Sequence, residues 1–236
     1  MIRRDYLIKL VQELSAVLLR IISLKNRREF AAALHEIDCA LERYLGLPPG
    51  EAQPENLDHV LDLCSREGGP MSDSLKLLAD IFYEQADVLR LQQNNAAHRR
   101  AQLLALGLYL EAVRTGVVSL DLLQRIDELV QQLGEVALPA SVLRRLFRYL
   151  EERGLYATAE DALYEWLDLN EADALKEGLA FYDRLLKRPD EDLVRGDLPR
   201  VEVEDGRSRL LERQSAQAQN LRKPADVPSP QGRGPG

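Results

Sequence analysis

His35 and Cys39 stand one helical turn apart, so an imidazole and a thiol could share a helix face as the first two ligands of a zinc site. No third or fourth ligand accompanies them. His59 and His98 fall in separate predicted helices, and the one other cysteine is Cys64. The expected arrangement is an edge histidine beside a core cysteine, with both thiols free and buried and no metal. Carboxylates cluster at Glu151-Glu152, Glu160-Asp161 and Asp190-Glu191-Asp192. Solvated helix faces and helix N-termini look the same, because the helix dipole favours acids there, and no pair is marked out for acid–base work. There is no phosphate-binding glycine loop, no dinucleotide fingerprint, no Cys-x-x-Cys and no His-Glu-x-x-His. The residues therefore point to a protein that is not an enzyme and holds no cofactor. Arg144 and Arg148 are more suggestive: spaced i, i+4 on a helix, their planar guanidinium forks could grip one carboxylate.

The elements that must position these groups are helical. The chain has 45 leucines against 23 valines, isoleucines and threonines together, and unbranched side chains keep their rotamers in a helix where β-branched ones lose theirs. Net charge is −8, which weighs against a nucleic-acid-binding body. The most apolar run, Leu103 to Leu110, is far short of the ~18–20 residues that cross a bilayer and reads as a central core helix. No signal peptide is expected, so the protein is expected in a reducing cytoplasm. Apolar spacing predicts nine helices: about 3–25, 28–45, 54–65, 72–92, 97–114, 119–134, 139–154, 157–168 and 170–187. Gly46, Gly134 and Gly154 stop three of them. Residues 1–187 form the helical domain, 188–222 a polar linker and charged C-terminal helix, and 223–236 a Pro/Gly/Ser-rich tail expected to be disordered.

One helix pair carries a repeat pattern: Leu146-Phe147-x-x-Leu150-x-x-x-Gly154-x-Tyr156-x-x-Ala159-x-x-x-Leu163. Gly154 permits the tight turn, Tyr156 packs under it, and Ala159 lets the second helix approach the first closely. Trp166 stands where a small residue is usual, which suits a terminal repeat. The first two helices follow the same logic through Phe30, Ala33, Ile37 and Ala40, but Arg28 occupies the place of the turn glycine. The fourth and fifth offer Ala101, Ala105 and Ala112 in poor register.

The chain resembles a bacterial family catalogued as a domain of unknown function and described as tetratricopeptide-like. The stretches that carry the resemblance are residues 1–7 (MIRRDYL), 155–161 (LYATAED), 178–185 (GLAFYDRL) and 196–200 (GDLPR). It implies an all-α fold of antiparallel helix pairs stacked as a short right-handed superhelix, and a soluble bacterial origin. It brings no catalytic residues.

In such a stack, one face of the first helix of each pair lines a concave groove. The repeat register puts Ser141, Arg144, Arg148, Glu151 and Glu152 on that face, with the arginines expected to pair with Glu151, Glu152 or the acidic segment near Asp190. The same register puts Ser15, Leu18, Leu19 and Ile22 on the groove side of the first helix, and Ile8, Leu19 and Ile22 form a second apolar stripe. The fourth helix, the C-terminal helix or a second copy would cover it. The expected role is non-catalytic protein–protein interaction with a protein or peptide partner, as adaptor or scaffold, with no nucleic acid and no membrane. A homo-oligomeric structural protein (a homodimer through the apolar stripe), a ligand- or peptide-sensing module and an enzyme of unrecognised type are the alternatives.

Overall fold

The computed structural model describes the main chain of residues 2–65, 72–134, 136–169 and 171–222, with the side chains of 9–64, 74–134, 136–169 and 172–217. Among the described residues there are eleven α-helices and no strand: α1 (Ile2–Asn26), α2 (Phe30–Leu45), α3 (Leu57–Ser65, entered through a 3-10 turn at Pro54–Asn56), α4 (Ser72–Leu91), α5 (Asn95–Arg114), α6 (Leu120–Leu133), α7 (Ala140–Glu152), α8 (Tyr156–Leu169), α9 (Glu171–Leu185), α10 (Asp190–Arg195) and α11 (Arg200–Arg222). None of them is long and apolar enough to cross a membrane. Residues 223–236, expected to be disordered, lie outside the described residues.

The chain divides into two compact units, Met1–Asn170 and Glu171–Gly236. The expected boundary at residue 187 therefore falls too late, and α9 groups with α10 and α11. The expected polar linker contains α10, a single acidic turn and a half that buries Leu193.

In the first unit, α1/α2, α4/α5 and α7/α8 are close-packed hairpins. Successive hairpins touch where α4 meets α1 and α2 and where α7 meets α5, while α3 lies on α5 and α7. The three hairpins close with one turn. At α7/α8 the Gly154 amide donates to the Glu151 carbonyl (3.0 Å) and the Leu155 amide to the Leu150 carbonyl (3.0 Å), the paired bonds that satisfy a helix's last carbonyls. Gly154 sits at φ +73°. Arg28 does the same for α1 at φ +61°, with Arg28 N–H to Lys25 and Glu29 N–H to Leu24, both 2.9 Å. Gln93 does it for α4 at φ +60°. Five residues past the turn stand Ala33, His98 and Ala159; twelve past it stand Ala40, Ala105 and Trp166. The two alanines at the fifth place are fully buried. The register of α4/α5 is thus better than the alanine pattern alone predicts.

The core centres on α5, buried without interruption from Ala101 to Ala112. Gly107 faces the Leu57 side chain, so close that a Cβ would collide with it. Trp166 is buried and packs on Phe147, ring centroids 6.2 Å apart. Lys25 ties α1 to α4 through Glu84 (2.5 Å) and Asp87 (2.8 Å). In the second unit, Gly206 of α11 lies against the buried Tyr182 ring of α9. Arg200 bonds Asp190 (2.5 Å) and the carbonyls of Leu186 (3.0 Å) and Arg188 (2.7 Å).

Candidate functional site

The polar groups with most capacity for recognition converge between α5 and α7. A cavity of about 300 Å³ is lined by Arg114, Arg144, Arg145, Arg148, Glu111 and Glu152, with Tyr149 at its wall. Glu111 belongs to the core helix and would be a costly buried charge if unpaired. Arg114 grips its Oε1 from the next turn of α5, and Arg145 Nε donates to its Oε2 at 3.1 Å. Burial pushes the Glu111 carboxyl up; Arg114 and Arg145 outweigh that and hold it below the ordinary carboxylate range.

Arg145 is the anchor. Its side chain is 10% exposed; Nη1 donates to the Ser141 carbonyl (2.7 Å) and Nη2 to Asp58 Oδ1 (2.6 Å). Arg144 Nη2 donates to the same Asp58 oxygen at 2.7 Å. Two adjacent guanidinium groups thus hold one half-exposed carboxylate on α3. Counting Asp58, four arginines face three carboxylates. The pocket therefore carries an excess of positive charge in a chain of net charge −8.

Of the residues expected on the α7 groove face, Arg144, Arg148 and Glu152 line this cavity and Glu151 does not. Ser141 is not a free groove residue: its hydroxyl donates to the Pro54 carbonyl at 2.6 Å, so the 3-10 turn and α3 cover the start of that face. The partner seen for Arg144 is Asp58 rather than the expected Glu151, Glu152 or Asp190; Asp190 is held by Arg200. Arg114, Arg145, Glu111 and Asp58 escaped the sequence reading. On α1, Leu14, Val17 and Ile21, which are not the residues of the second stripe, are buried, and α4 packs alongside the helix. Leu19 remains 68% exposed, Ile22 is half-buried, and the Ile8 side chain lies outside the described residues.

The other polar clusters are committed elsewhere. Buried Asp80 accepts from the Tyr109 hydroxyl (2.6 Å) and Lys76 (2.9 Å), and Arg125 stacks on Tyr83 at 4.7 Å while reaching Asp80 at 3.3 Å. A cavity of about 510 Å³ between α4, α5 and α6 is bordered by groups that bond one another: Gln102 to Gln132 (2.7 Å), Arg90 to Asp87 (2.6 Å), and His98 Nδ1 to the Ala86 carbonyl (2.8 Å).

His35 Nε2 stands 3.6 Å from Cys39 Sγ, but no group of three or more candidate metal ligands occurs among the described residues. Both cysteines are free. Cys64 is buried, and burial pushes its thiol up to about 12. Cys39, expected in the core, is exposed, because Ile37, Ala40 and Leu41 take the inward positions of α2.

No curated protein and no solved structure matches the chain. Residues 1–215 match the model of a family of unknown function, DUF6483, and the chain belongs to that family.

Proposed function

We propose that this is a non-catalytic helical-repeat protein of the bacterial cytoplasm, an adaptor or scaffold that holds a carboxylate-bearing segment of a partner protein. The reading takes the three hairpins as degenerate tetratricopeptide-like units stacked in a right-handed sense. Their shared left-handed turn and the matching buried alanines Ala33 and Ala159 support it. The observation that carries the functional part is the pairing of Arg144 and Arg145 on a single Asp58 oxygen at 2.7 and 2.6 Å, beside a cavity with more arginines than carboxylates. A carboxylate already sits in that fork, so an incoming one needs no new geometry, and charge-assisted bonds to guanidinium are among the stronger polar contacts. Such contacts give specificity and encounter rate as well as affinity.

Affinity purification from the native cells with the full chain and with Arg144→Ala/Arg148→Ala tests it. Loss of a captured partner at unchanged melting temperature supports the reading, and undiminished capture contradicts it. A homodimer is the second reading, favoured by Leu19, which is 68% exposed on α1 one turn from the half-buried Ile22 of the same apolar stripe. Light scattering on a sizing column separates the two.

A further inference from the structure

We propose that the opposite flank of α7 carries a second, independent docking groove, and that its occupant is a basic segment of a partner protein with an aliphatic anchor. The groove has a volume of about 270 Å³ and lies between α6, the 136–138 segment, α7 and α8. Its apolar lining is open at Val130, 39% exposed, and at the half-buried Val136 and Leu138, above the buried Leu106, Leu133, Leu143 and Leu146. Its rim is acidic. Asp161 and Glu165, one turn apart on α8, are both exposed and border the groove. Among the described residues neither carboxylate has an ion-pair partner, and no cation borders the groove.

Size and charge together choose the occupant. Drug-sized ligands fill pockets of about 300–1,000 Å³, so this groove suits side chains of a segment lying across it. An apolar small molecule would cover Val130, Val136 and Leu138 and leave the carboxylates without a partner. A second copy of this chain would bring a net charge of −8 to an acidic rim, and like charges set against each other suppress such pairings. A segment with a leucine-like anchor and a lysine or arginine within a turn of it satisfies both features, and the acidic body steers it inward. The arginines of α7 line the other cavity while Leu143, Leu146 and Leu150 line this one, so the two sites fail or succeed separately.

The probes are two capped, fluorescent eight-residue peptides, one of alternating leucine and lysine, the other of alternating leucine and glutamine, which carries no carboxylate for the arginine cavity. Anisotropy is read on the full chain, with methyl NMR of Val130, Leu133 and Leu146. The lysine peptide is expected to shift these methyls and to bind at least about ten-fold more tightly than the glutamine peptide, a difference of about 1.4 kcal/mol. Asp161→Asn/Glu165→Gln, changing two exposed groups, should erase that preference, and Arg144→Ala/Arg148→Ala should leave it intact. Equal binding of both peptides, unmoved methyls, or a preference that survives the Asp161→Asn/Glu165→Gln change would each overturn the proposal.

Discussion

Arg28 closes the first hairpin in the same left-handed conformation that Gly154 supplies in the third, φ +61° against +73°, and with the same two backbone bonds. A side chain in that region costs about 1–2 kcal/mol, while glycine loses about 0.5–1 kcal/mol in chain entropy. Arg28 is exposed and forms no ion pair among the described residues. Arg28→Gly is therefore expected to stabilise the protein by about 0.5–1 kcal/mol, and Gly154→Ala to destabilise it by about 1 kcal/mol. Thermal melts of both variants check the pair; a destabilising Arg28→Gly would mean the arginine side chain holds the turn.

Ala159 is fully buried where α8 crosses α7. Leucine there must push the helices apart, because a close-packed crossing has no space to yield. Ala159→Leu is expected to cost about 1–3 kcal/mol, read as a shifted denaturant midpoint. A neutral result would show that the crossing tolerates a larger side chain and that the repeat register is misassigned.

Asp58 acts as the resident occupant of the Arg144–Arg145 fork. It is half-exposed, and ion pairs of that kind contribute only about 0–1 kcal/mol. Asp58→Asn should leave the melting temperature nearly unchanged. It should tighten binding of the partner captured in the Arg144/Arg148 experiment by up to about ten-fold, since the competing charge is gone. Weaker binding in titration calorimetry would show instead that Asp58 preorganises the arginines.

Glu111 makes stability depend on acid. Its native carboxyl is held below the ordinary value of 4.5 because Arg114 and Arg145 outweigh burial. The folded state binds the proton less readily than the unfolded chain, so this contribution is complete above the unfolded value and is lost as pH falls through the lower native one. Wild-type stability should thus drop below about pH 4.5, and Glu111→Gln should show a shallower drop there while being less stable at neutral pH. Denaturation series from pH 3 to 7 measure both slopes; identical slopes would remove Glu111 as a source.

The helices were legible because leucine recurs at helical spacing and Gly46, Gly134 and Gly154 mark their ends. The short α10 was not, since only Leu193 of its six residues is buried and the rest reads as solvated loop. Arg28 stands where the repeat pattern wants its turn glycine, but nothing in its chemistry or in that of Gln93 announces a positive φ. Arg144 and Arg148 were visible as an i, i+4 pair. Their neighbours were not: Asp58, Glu111 and Arg145 meet only through packing of α3, α5 and α7, and Glu111 stands directly after the apolar run, where a charge reads as its solvated end. Cys39 was misplaced because apolar residues of α2 also stand outside its buried positions Ala33, Ile37, Ala40 and Leu41, as at exposed Ala31 and Ala32, so a small error in rotation moves a residue from core to rim.

The most direct measurement is the affinity of the captured partner for the full chain as salt is raised, beside the same titration with Arg144→Ala/Arg148→Ala. Exposed charge pairs are screened over about 10 Å at 0.1 M salt. The account predicts wild-type binding that weakens steeply with salt, and a double variant that binds poorly with a nearly flat dependence. Equal affinity and equal salt dependence in the two proteins would contradict it.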